Sequence, residues 1–225
     1  MAEEPAADDK TRIRPAATVI LLRQGAEGAE VLMGLRGAGA AFMPSKFVFP
    51  GGAVDAADAG VPLAALPDET CRRRLDAAAP GARALAAAAI RELWEETGLP
   101  LGTPGHWQPP EGWEGFAARG LVPDASGLRF VFRAITPPGR PRRFDARFFL
   151  ADADQLRGDA EDFSAASDEL SHLSWLPLAE ARRLDLPFIT EVVLAEISAL
   201  TRGDTGAGVP FFDNSGPVPT FRRLA

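Results

Sequence analysis

Short apolar runs separated by turn-forming residues occupy the first quarter of the chain, a pattern typical of β-strands. Two of these runs, residues 17–22 and 30–35, flank the turn-like segment 24–29, so the pattern predicts a hairpin. A third run, residues 47–49, stops at Pro50-Gly51-Gly52, where proline and glycine end a strand.

Residues 82–97 form the strongest helical pattern, and Gly98 follows them where a helix C-terminal glycine belongs. Apolar side chains recur there at intervals of four, three and four residues, which predicts one buried stripe. The stripe consists of Ala86, Ile90, Leu93 and Thr97. The opposite side carries Arg91, Glu92, Glu95 and Glu96.

The rest of the chain alternates between further elements and polar connections. Strands are predicted at residues 128–135, 147–151 and 173–176, and helices at 69–79, 113–119, 178–184 and 188–200. We expect a flexible arm over residues 1–14, one domain over 15–202 with a Pro-rich segment at 59–82, and a Gly/Pro-rich tail over 203–225. Strands followed by helices, without a second core-sized unit, predict one α+β or α/β sandwich with a central mixed sheet.

The overall charge narrows the class of partner. A formal net charge of -7 argues against a nucleic-acid polymer or an anionic membrane, but it allows a small phosphorylated ligand whose charge a metal ion or local arginines offset. No apolar run approaches the ~20 residues of a membrane span, and the single Cys71 suits a reducing compartment. We therefore expect a cytoplasmic protein. The sequence leaves open whether it forms a homodimer.

Three carboxylates crowd one sector of the predicted helix. Glu92 faces both Glu95 and Glu96, three and four residues on, and Arg91 lies one turn before Glu95. Like charges repel at this spacing unless a cation offsets them, and hard oxygen ligands suit Mg²⁺ or Mn²⁺. The alternative is an ordinary solvated acidic face, which most glutamate-rich strings are.

The string Arg91-Glu92-Leu93-Trp94-Glu95-Glu96-Thr97-Gly98-Leu99 resembles the second half of the Nudix box, G-x5-E-x7-R-E-U-x-E-E-x-G-U, at every fixed position. The first half fits residues 49–58, with Gly52 as the box glycine. The resemblance implies a Nudix α/β/α sandwich that hydrolyses a diphosphate bond. It also implies catalytic roles for Arg91, Glu92, Glu95 and Glu96, and a metal held by the three glutamates and the Gly51 carbonyl.

The chain departs from the box at two points. Asp58 stands in place of the box glutamate, and 32 residues rather than seven separate it from Arg91. The Pro-rich segment 59–82 accounts for the difference as an insertion that interrupts the loop and not the helix. We do not expect Asp58 to bind metal, and it could be a turn residue only.

Two further segments, residues 42–52 and 143–151, resemble the branch that contains the acyl-CoA diphosphatases. That branch implies CoA or acyl-CoA as substrate, with 3′,5′-ADP and a phosphopantetheine part as products. ADP-ribose, a dinucleotide or a nucleotide sugar are alternative substrates. A non-catalytic nucleotide-binding regulatory module is an alternative of another class, supported only by the altered first half of the box.

The sequence indicates the general base and the substrate-binding residues less clearly than the metal ligands. One of the three glutamates could take the proton of the attacking water. So could Asp168 or Glu169, because related enzymes use a glutamate in this loop; the alternative is a solvated turn. Basic residues are densest at Arg140, Arg142, Arg143 and Arg147. We expect Arg142, Arg143 and Arg147 to bind a substrate phosphate outside the reaction centre, against the alternative of a solvated loop and strand edge.

Overall fold

A mixed β-sheet lies between two layers of helices in the computed structural model, which describes residues 12–40, 42–204 and 206–225. In chain order the strands are β1 (Ile13–Gly25), β2 (Gly28–Arg36), β3 (Phe47–Val48), β4 (Gly51–Ala53), β5 (Gly102–Pro104), β6 (Leu121–Pro123), β7 (Arg129–Ile135), β8 (Arg143–Asp152), β9 (Leu170–Pro177), β10 (Val209–Asp213) and β11 (Thr220–Leu224). The helices are α1 (Glu69–Asp76), α2 (Ala82–Thr97), α3 (Glu114–Ala118), α4 (Leu178–Ala181) and α5 (Phe188–Thr201), with short 3₁₀ turns at Ala56–Gly60 and Ala153–Gln155.

The strands follow the order β11-β10-β7-β8-β1-β2-β3, with β4 beside β1 and β9 beside β2. β1 runs parallel to β8, and β10 runs parallel to β7, while the other pairs of this sheet are antiparallel. β5 and β6 form a separate antiparallel ribbon. The predicted hairpin is confirmed as β1 and β2, which close through the paired Gly25 and Gly28.

Successive side chains of β1 point to opposite faces of the sheet, as in any strand, and therefore enter two separate cores. Val19 and Leu21 pack on the face covered by α1, α2 and α3, and Ile20 packs on the face covered by α4 and α5. This arrangement confirms the predicted sandwich with a central mixed sheet. No helix among the described residues is long and apolar enough to cross a membrane.

Helix α2 begins and ends where the sequence predicts. Gly98 adopts the left-handed conformation, with a φ of 74°, and its N–H donates to the carbonyl of Trp94 at 2.8 Å, which caps the helix. The predicted stripe is too narrow, however, because residues 84–89 are all buried. Alanine side chains are small enough for the sheet and the neighbouring segments to approach the helix on several sides.

Both ends of the expected domain need correction. Ile13 and Arg14, which we assigned to the arm, pair with β8, while residues 1–11 lie outside the described residues. Residues 203–225, which we expected as a Gly/Pro-rich tail outside the domain, contain β10 and β11 at one edge of the sheet. Val209 and Phe211 bury their side chains there, so a short apolar run outweighs the surrounding glycine and proline.

Residues 59–82 pack against the domain through a helix at the predicted place. α1 ends at Asp76, three residues before the expected end, and its Asp68 cap accepts a hydrogen bond from the N–H of Cys71 at 2.9 Å. Cys71 and Leu75 enter the same core as α2. The segment therefore packs beside α2 without separating this helix from the glycine turn, Pro50-Gly51-Gly52.

Candidate active site

The glycine turn, in which Gly51 and Gly52 open β4, lies directly against α2. The N–H of Gly51 donates to Oε2 of Glu96 at 2.7 Å. A Cβ atom on Gly51 would lie 2.5 Å from the carbonyl oxygen of Ala17, and a Cβ on Gly52 would lie 2.4 Å from Oε2 of Glu92. Gly51 is therefore required because backbone atoms approach it too closely for a side chain, whereas a side chain at position 52 would displace the carboxylate of Glu92.

Arg91 is the centre of the charge network on α2, and it is 9% exposed. Its guanidinium donates to both carboxylate oxygens of Asp58, at 3.0 and 3.1 Å. It also donates to the carbonyl of Ala53 at 2.9 Å. The remaining nitrogen contacts Glu92 at 2.9 Å and Glu95 at 3.1 Å. Arg91 thus joins α2 to the glycine turn and holds two of the three predicted glutamates.

Asp58 has a role that the sequence left open. Its side chain is 2% exposed, and it accepts the backbone N–H of Asp55 at 2.8 Å as well as the two bonds from Arg91. A planar fork of two parallel hydrogen bonds fixes the guanidinium better than a single contact would. Asp58 is therefore both a turn residue and the anchor of Arg91, and its carboxylate is engaged there.

The glutamates are buried enough to change their acidity. Burial raises the pKa of Glu96 to about 8, although the Gly51 N–H lowers it, and the charge of Glu92 raises it further. Burial also raises the pKa of Glu92 to about 7 against the opposing effect of Arg91, and it raises the pKa of Glu95. Each carboxylate is therefore costly to ionise unless a cation stands beside it.

The carboxylate oxygens of these three glutamates are chemically suited to bind a divalent metal ion. Carboxylate oxygens are hard ligands, and Oε1 of Glu96 is a buried acceptor with no hydrogen-bond partner in the described chain. The three glutamate side chains do not point to a common position, however. Among the described residues, no three acidic, histidine or cysteine side chains lie close enough together to hold one metal ion. Glu92 and Glu95 point instead to Arg91, the nearest cation.

An open cavity of about 1250 Å³ adjoins this network. The carboxylates that line it come from α2 and from the loop before β9. They are Glu92, Glu95, Asp168 and Glu169. Glu169 is exposed and lies 3.8 Å from Arg36, so the structure brings this predicted loop glutamate to the same cavity as α2.

Arg36 is a functional candidate that the sequence did not reveal. It is the last residue of β2, lines the cavity, and has a buried Nε with no hydrogen-bond partner among the described residues. Its charge lowers the pKa of Glu96. A single arginine at the end of a strand forms no recognisable motif in the sequence. Only the folded structure therefore identifies Arg36 as a candidate.

The arginine-rich stretch, residues 140–147, places some side chains at the cavity and others in the protein interior. Arg140 and Arg142 line the cavity. Arg143 is buried and donates to the carbonyls of Thr136 and Asn214, at 3.0 and 2.8 Å. The expected substrate contact is therefore wrong for Arg143, because its guanidinium is used inside the fold.

The same correction applies to Arg147, which is 2% exposed and pairs with Asp145 at 2.9 Å. Strand alternation is the physical reason. The cavity is lined by Phe144, Ala146 and Phe148, so the odd-numbered positions of β8 point to the opposite face.

Comparison with known proteins supports what the geometry indicates. The family model described as NUDIX domain matches residues 12–197. The Caenorhabditis elegans protein named "Putative nudix hydrolase 7" is 31% identical over 177 residues, which are 72% of this chain and 51% of that protein. This chain thus spans about half the length of that curated relative.

Solved structures share the fold. A NUDIX hydrolase from Alicyclobacillus acidocaldarius is 30% identical, with a TM-score of 0.61 over 82% of this chain and 90% of that chain. The NUDIX domain of Shewanella oneidensis NrtR, crystallised with ADP ribose, has a TM-score of 0.50 over 87% of this chain and 94% of that one, at 14% identity. The matched region contains β1, the glycine turn, α2 and β9, and this chain therefore belongs to the NUDIX domain family.

Proposed function

We propose that this protein hydrolyses a diphosphate bond in a nucleoside-diphosphate-linked substrate with a divalent metal ion. The observation that carries the proposal is the buried contact between the glycine turn and Glu96, beside Glu92. A protein that only bound a nucleotide would not need buried carboxylates whose ionisation is unfavourable. The adjoining cavity gives a phosphorylated substrate access to them.

Glu92, Glu95 and Glu96, together with the Gly51 carbonyl, would hold Mg²⁺ or Mn²⁺. Such an ion supplies charge neutralisation of the phosphate oxygens and activation of water. Arg91 restricts the rotamers of Glu92 and Glu95, so these carboxylates are positioned before substrate arrives. Asp58 in turn fixes Arg91 and so acts on the reaction only indirectly.

Glu169 is our candidate for the base that takes a proton from the attacking water. It lines the cavity, its side chain is 65% exposed, and its charge influences the pKa of both Glu92 and Glu96. An exposed carboxylate at the mouth of the site can exchange its proton with solvent after each turnover. Arg36 lies close enough to orient it.

CoA or acyl-CoA is the substrate we propose, and this finer assignment rests on the residues of the cavity. Arg142, with Arg140, adds positive charge where the cavity is otherwise lined by apolar side chains of β8 and α5. CoA differs from most other diphosphates by an additional phosphate and a long arm, and a cavity of about 1250 Å³ exceeds a typical small-ligand pocket. Residues 59–82 would then be an insertion within the Nudix box.

A coupled phosphate-release screen tests the proposal. The panel contains CoA, dephospho-CoA, ADP-ribose, a dinucleoside polyphosphate and NADH, each with Mg²⁺ and with Mn²⁺. We expect turnover of CoA that Glu96→Gln abolishes. Preference for ADP-ribose would overturn the CoA assignment alone, and no turnover of any compound would favour the non-catalytic binding module.

A further inference from the structure

Three phenylalanine rings form a continuous row that starts in the wall of the large cavity and ends on the protein surface. Phe188, the first residue of α5, and Phe212 of β10 both line the cavity. Their ring centroids lie 6.2 Å apart, and the ring centroid of Phe221 on β11 lies 6.5 Å from that of Phe212. These three side chains, the phenylalanine row, therefore lead from the cavity onto the outermost strand.

The phenylalanine row is exposed although it consists of large apolar side chains. Phe188 is 67% exposed and Phe221 is 59% exposed, while Phe212 between them is half-buried. Single exposed apolar side chains are common, but a contiguous exposed apolar surface marks a place where another apolar group binds. The ring of Phe221 also contacts the buried ring of Phe132, with centroids 6.4 Å apart, which holds it in place. The row is thus an apolar surface that exists before anything binds to it.

Most of the phenylalanine row lies outside the part of the chain that the family model matches. The match covers residues 12–197, and Phe212 and Phe221 follow it on β10 and β11. β10 nevertheless pairs with β7, where Phe212 lies opposite Ala134, another residue of the cavity wall. The last strands therefore extend the cavity wall beyond the matched domain.

The distribution of charge in the cavity indicates which part of a substrate would contact the phenylalanine row. Every carboxylate among the described lining residues belongs to α2 or to the loop before β9. The side chains next to the row include the apolar Ala134, which pairs with Phe212, and Ile189, which follows Phe188. A diphosphate held beside Glu92 would thus leave the row to an apolar group attached to it.

The orientation of the rings favours a hydrocarbon chain over a flat base. The ring planes of Phe188 and Phe212 are inclined by 62°, and those of Phe212 and Phe221 by 51°. A base gains most by stacking on the face of an aromatic ring, so a row of mutually inclined rings offers it no common plane. A hydrocarbon chain needs apolar area only, because the hydrophobic effect has no direction.

A second copy of the protein is the competing occupant of the phenylalanine row. A stable interface buries about 800 Å² on each partner, whereas three partly exposed rings supply at most a few hundred Å². Arg222 and Arg223, which follow Phe221 on the outermost strand, are both exposed. Two copies paired along this strand would bring these like charges together.

We propose that the phenylalanine row is a subsite for a hydrocarbon group that the substrate carries outside the diphosphate being cleaved. With the CoA substrate of the proposed function, on which this inference rests, that group is the acyl chain of an acyl-CoA. The row then selects acylated CoA over free CoA, by a factor that grows with the length of the chain.

A series of substrates with increasing chain length tests this selection. Each buried methylene group strengthens binding up to about fourfold, so kcat/KM of the wild type should rise from acetyl-CoA to octanoyl-CoA. Phe188→Ser combined with Phe221→Ser should lower the ratio of kcat/KM for octanoyl-CoA to that for CoA roughly tenfold. Val218→Ser is the matched control, because Val218 is 70% exposed between β10 and β11, and it should keep the wild-type ratio. No rise with chain length, or a wild-type ratio in the double variant, would overturn the subsite.

Binding of a neutral hydrocarbon probe separates this inference from the proposed function. Octyl glucoside, below the concentration at which it forms micelles, should shift the ring resonances of Phe188 and Phe221 in the wild type and in Val218→Ser. Phe188→Ser should weaken the response of Phe221. If the wild type cleaves no CoA compound but these shifts occur, the proposed function fails and the subsite stands.

Two results would overturn the subsite even if CoA is hydrolysed. The first is ring resonances of Phe188 and Phe221 that do not move with octyl glucoside. The second is a wild type that sediments as a dimer and becomes a monomer in the double variant, because the phenylalanine row would then be covered by a second copy of the chain.

Discussion

The acidic face of α2 and the arginine-rich strand β8 carry similar densities of charge but present them differently. On α2, Glu92 and Glu95 lie on the side of the helix that faces the cavity, and Arg91 holds them there. On β8, Arg143 and Arg147 face away from the cavity and bind protein acceptors. A helix collects residues three and four apart on one face, whereas a strand sends neighbours to opposite faces.

This difference tells us under which condition a cluster of charged residues in a sequence indicates a functional site. Helical spacing places Glu92, Glu95 and Glu96 together whatever the rest of the fold does. Strand spacing requires knowledge of which face is buried, and in β8 that is decided by Phe148 and Phe149, which enter the two different cores. Four experiments test whether this contrast between α2 and β8 holds.

Asp58→Asn should cause the largest loss of stability, because it leaves the buried guanidinium of Arg91 without its main counter-charge. Breaking a buried ion pair costs about 3–5 kcal/mol, which denaturant unfolding measures. Asp55→Asn is the matched control, since Asp55 lies 3.7 Å from Arg91 with a side chain that is 63% exposed. Its expected cost is below about 1 kcal/mol. Equal effects would mean that Asp58 does not anchor the helix.

Glu96→Gln should reduce kcat at least ~100-fold with little change in folding, because an amide oxygen can still accept the Gly51 N–H but carries no charge. The thermal midpoint should stay constant or rise, since glutamine replaces a buried group whose ionisation is unfavourable. Glu180→Gln, an exposed substitution on α4, should leave both quantities unchanged. A kcat near that of the wild type would remove Glu96 from the proposed site.

The stability of the metal-free protein should fall as pH rises from about 5 to 8. Because burial raises the pKa of Glu92 to about 7 and of Glu96 to about 8, the folded state keeps protons that the unfolded state has already released. Raising the pH through this window therefore favours unfolding by several kcal/mol, since each unit of pKa shift corresponds to about 1.4 kcal/mol. Glu92→Gln combined with Glu96→Gln should flatten the profile. A rise in stability over this range would contradict the burial of these groups.

Arg143→Gln and Arg142→Gln should separate stability from binding. The first loses two hydrogen bonds from a buried cation and should lower the free energy of unfolding by about 1–3 kcal/mol, with the KM for CoA unchanged. The second should cost less stability than the first, because Arg142 is exposed, and it should raise the KM for CoA more than that for dephospho-CoA. Opposite results would mean that Arg142 and Arg143 had been assigned to the wrong sides of the chain at the start of β8.

Local patterns predicted much of this fold and part of the site. The bounds of α2 and its glycine cap follow from propensity and spacing, as does the hairpin of β1 and β2. The anchoring of Arg91 by Asp58 does not, because 32 residues separate them and nothing local requires their contact. Arg36 likewise becomes a candidate only through tertiary packing, which leaves its Nε buried and without a hydrogen-bond partner among the described residues.

The strands β10 and β11 affect how the molecule meets its neighbours in solution. The outermost strand, β11, has an exposed surface with Arg222 and Arg223, while β7, two places inward, is mostly buried and apolar. Charged side chains on an outer strand discourage pairing between copies, and an apolar strand with open hydrogen-bonding groups invites it. Shortening the chain at Gly208 would bare β7 along one side, so resistance to aggregation depends on the last strands of this chain.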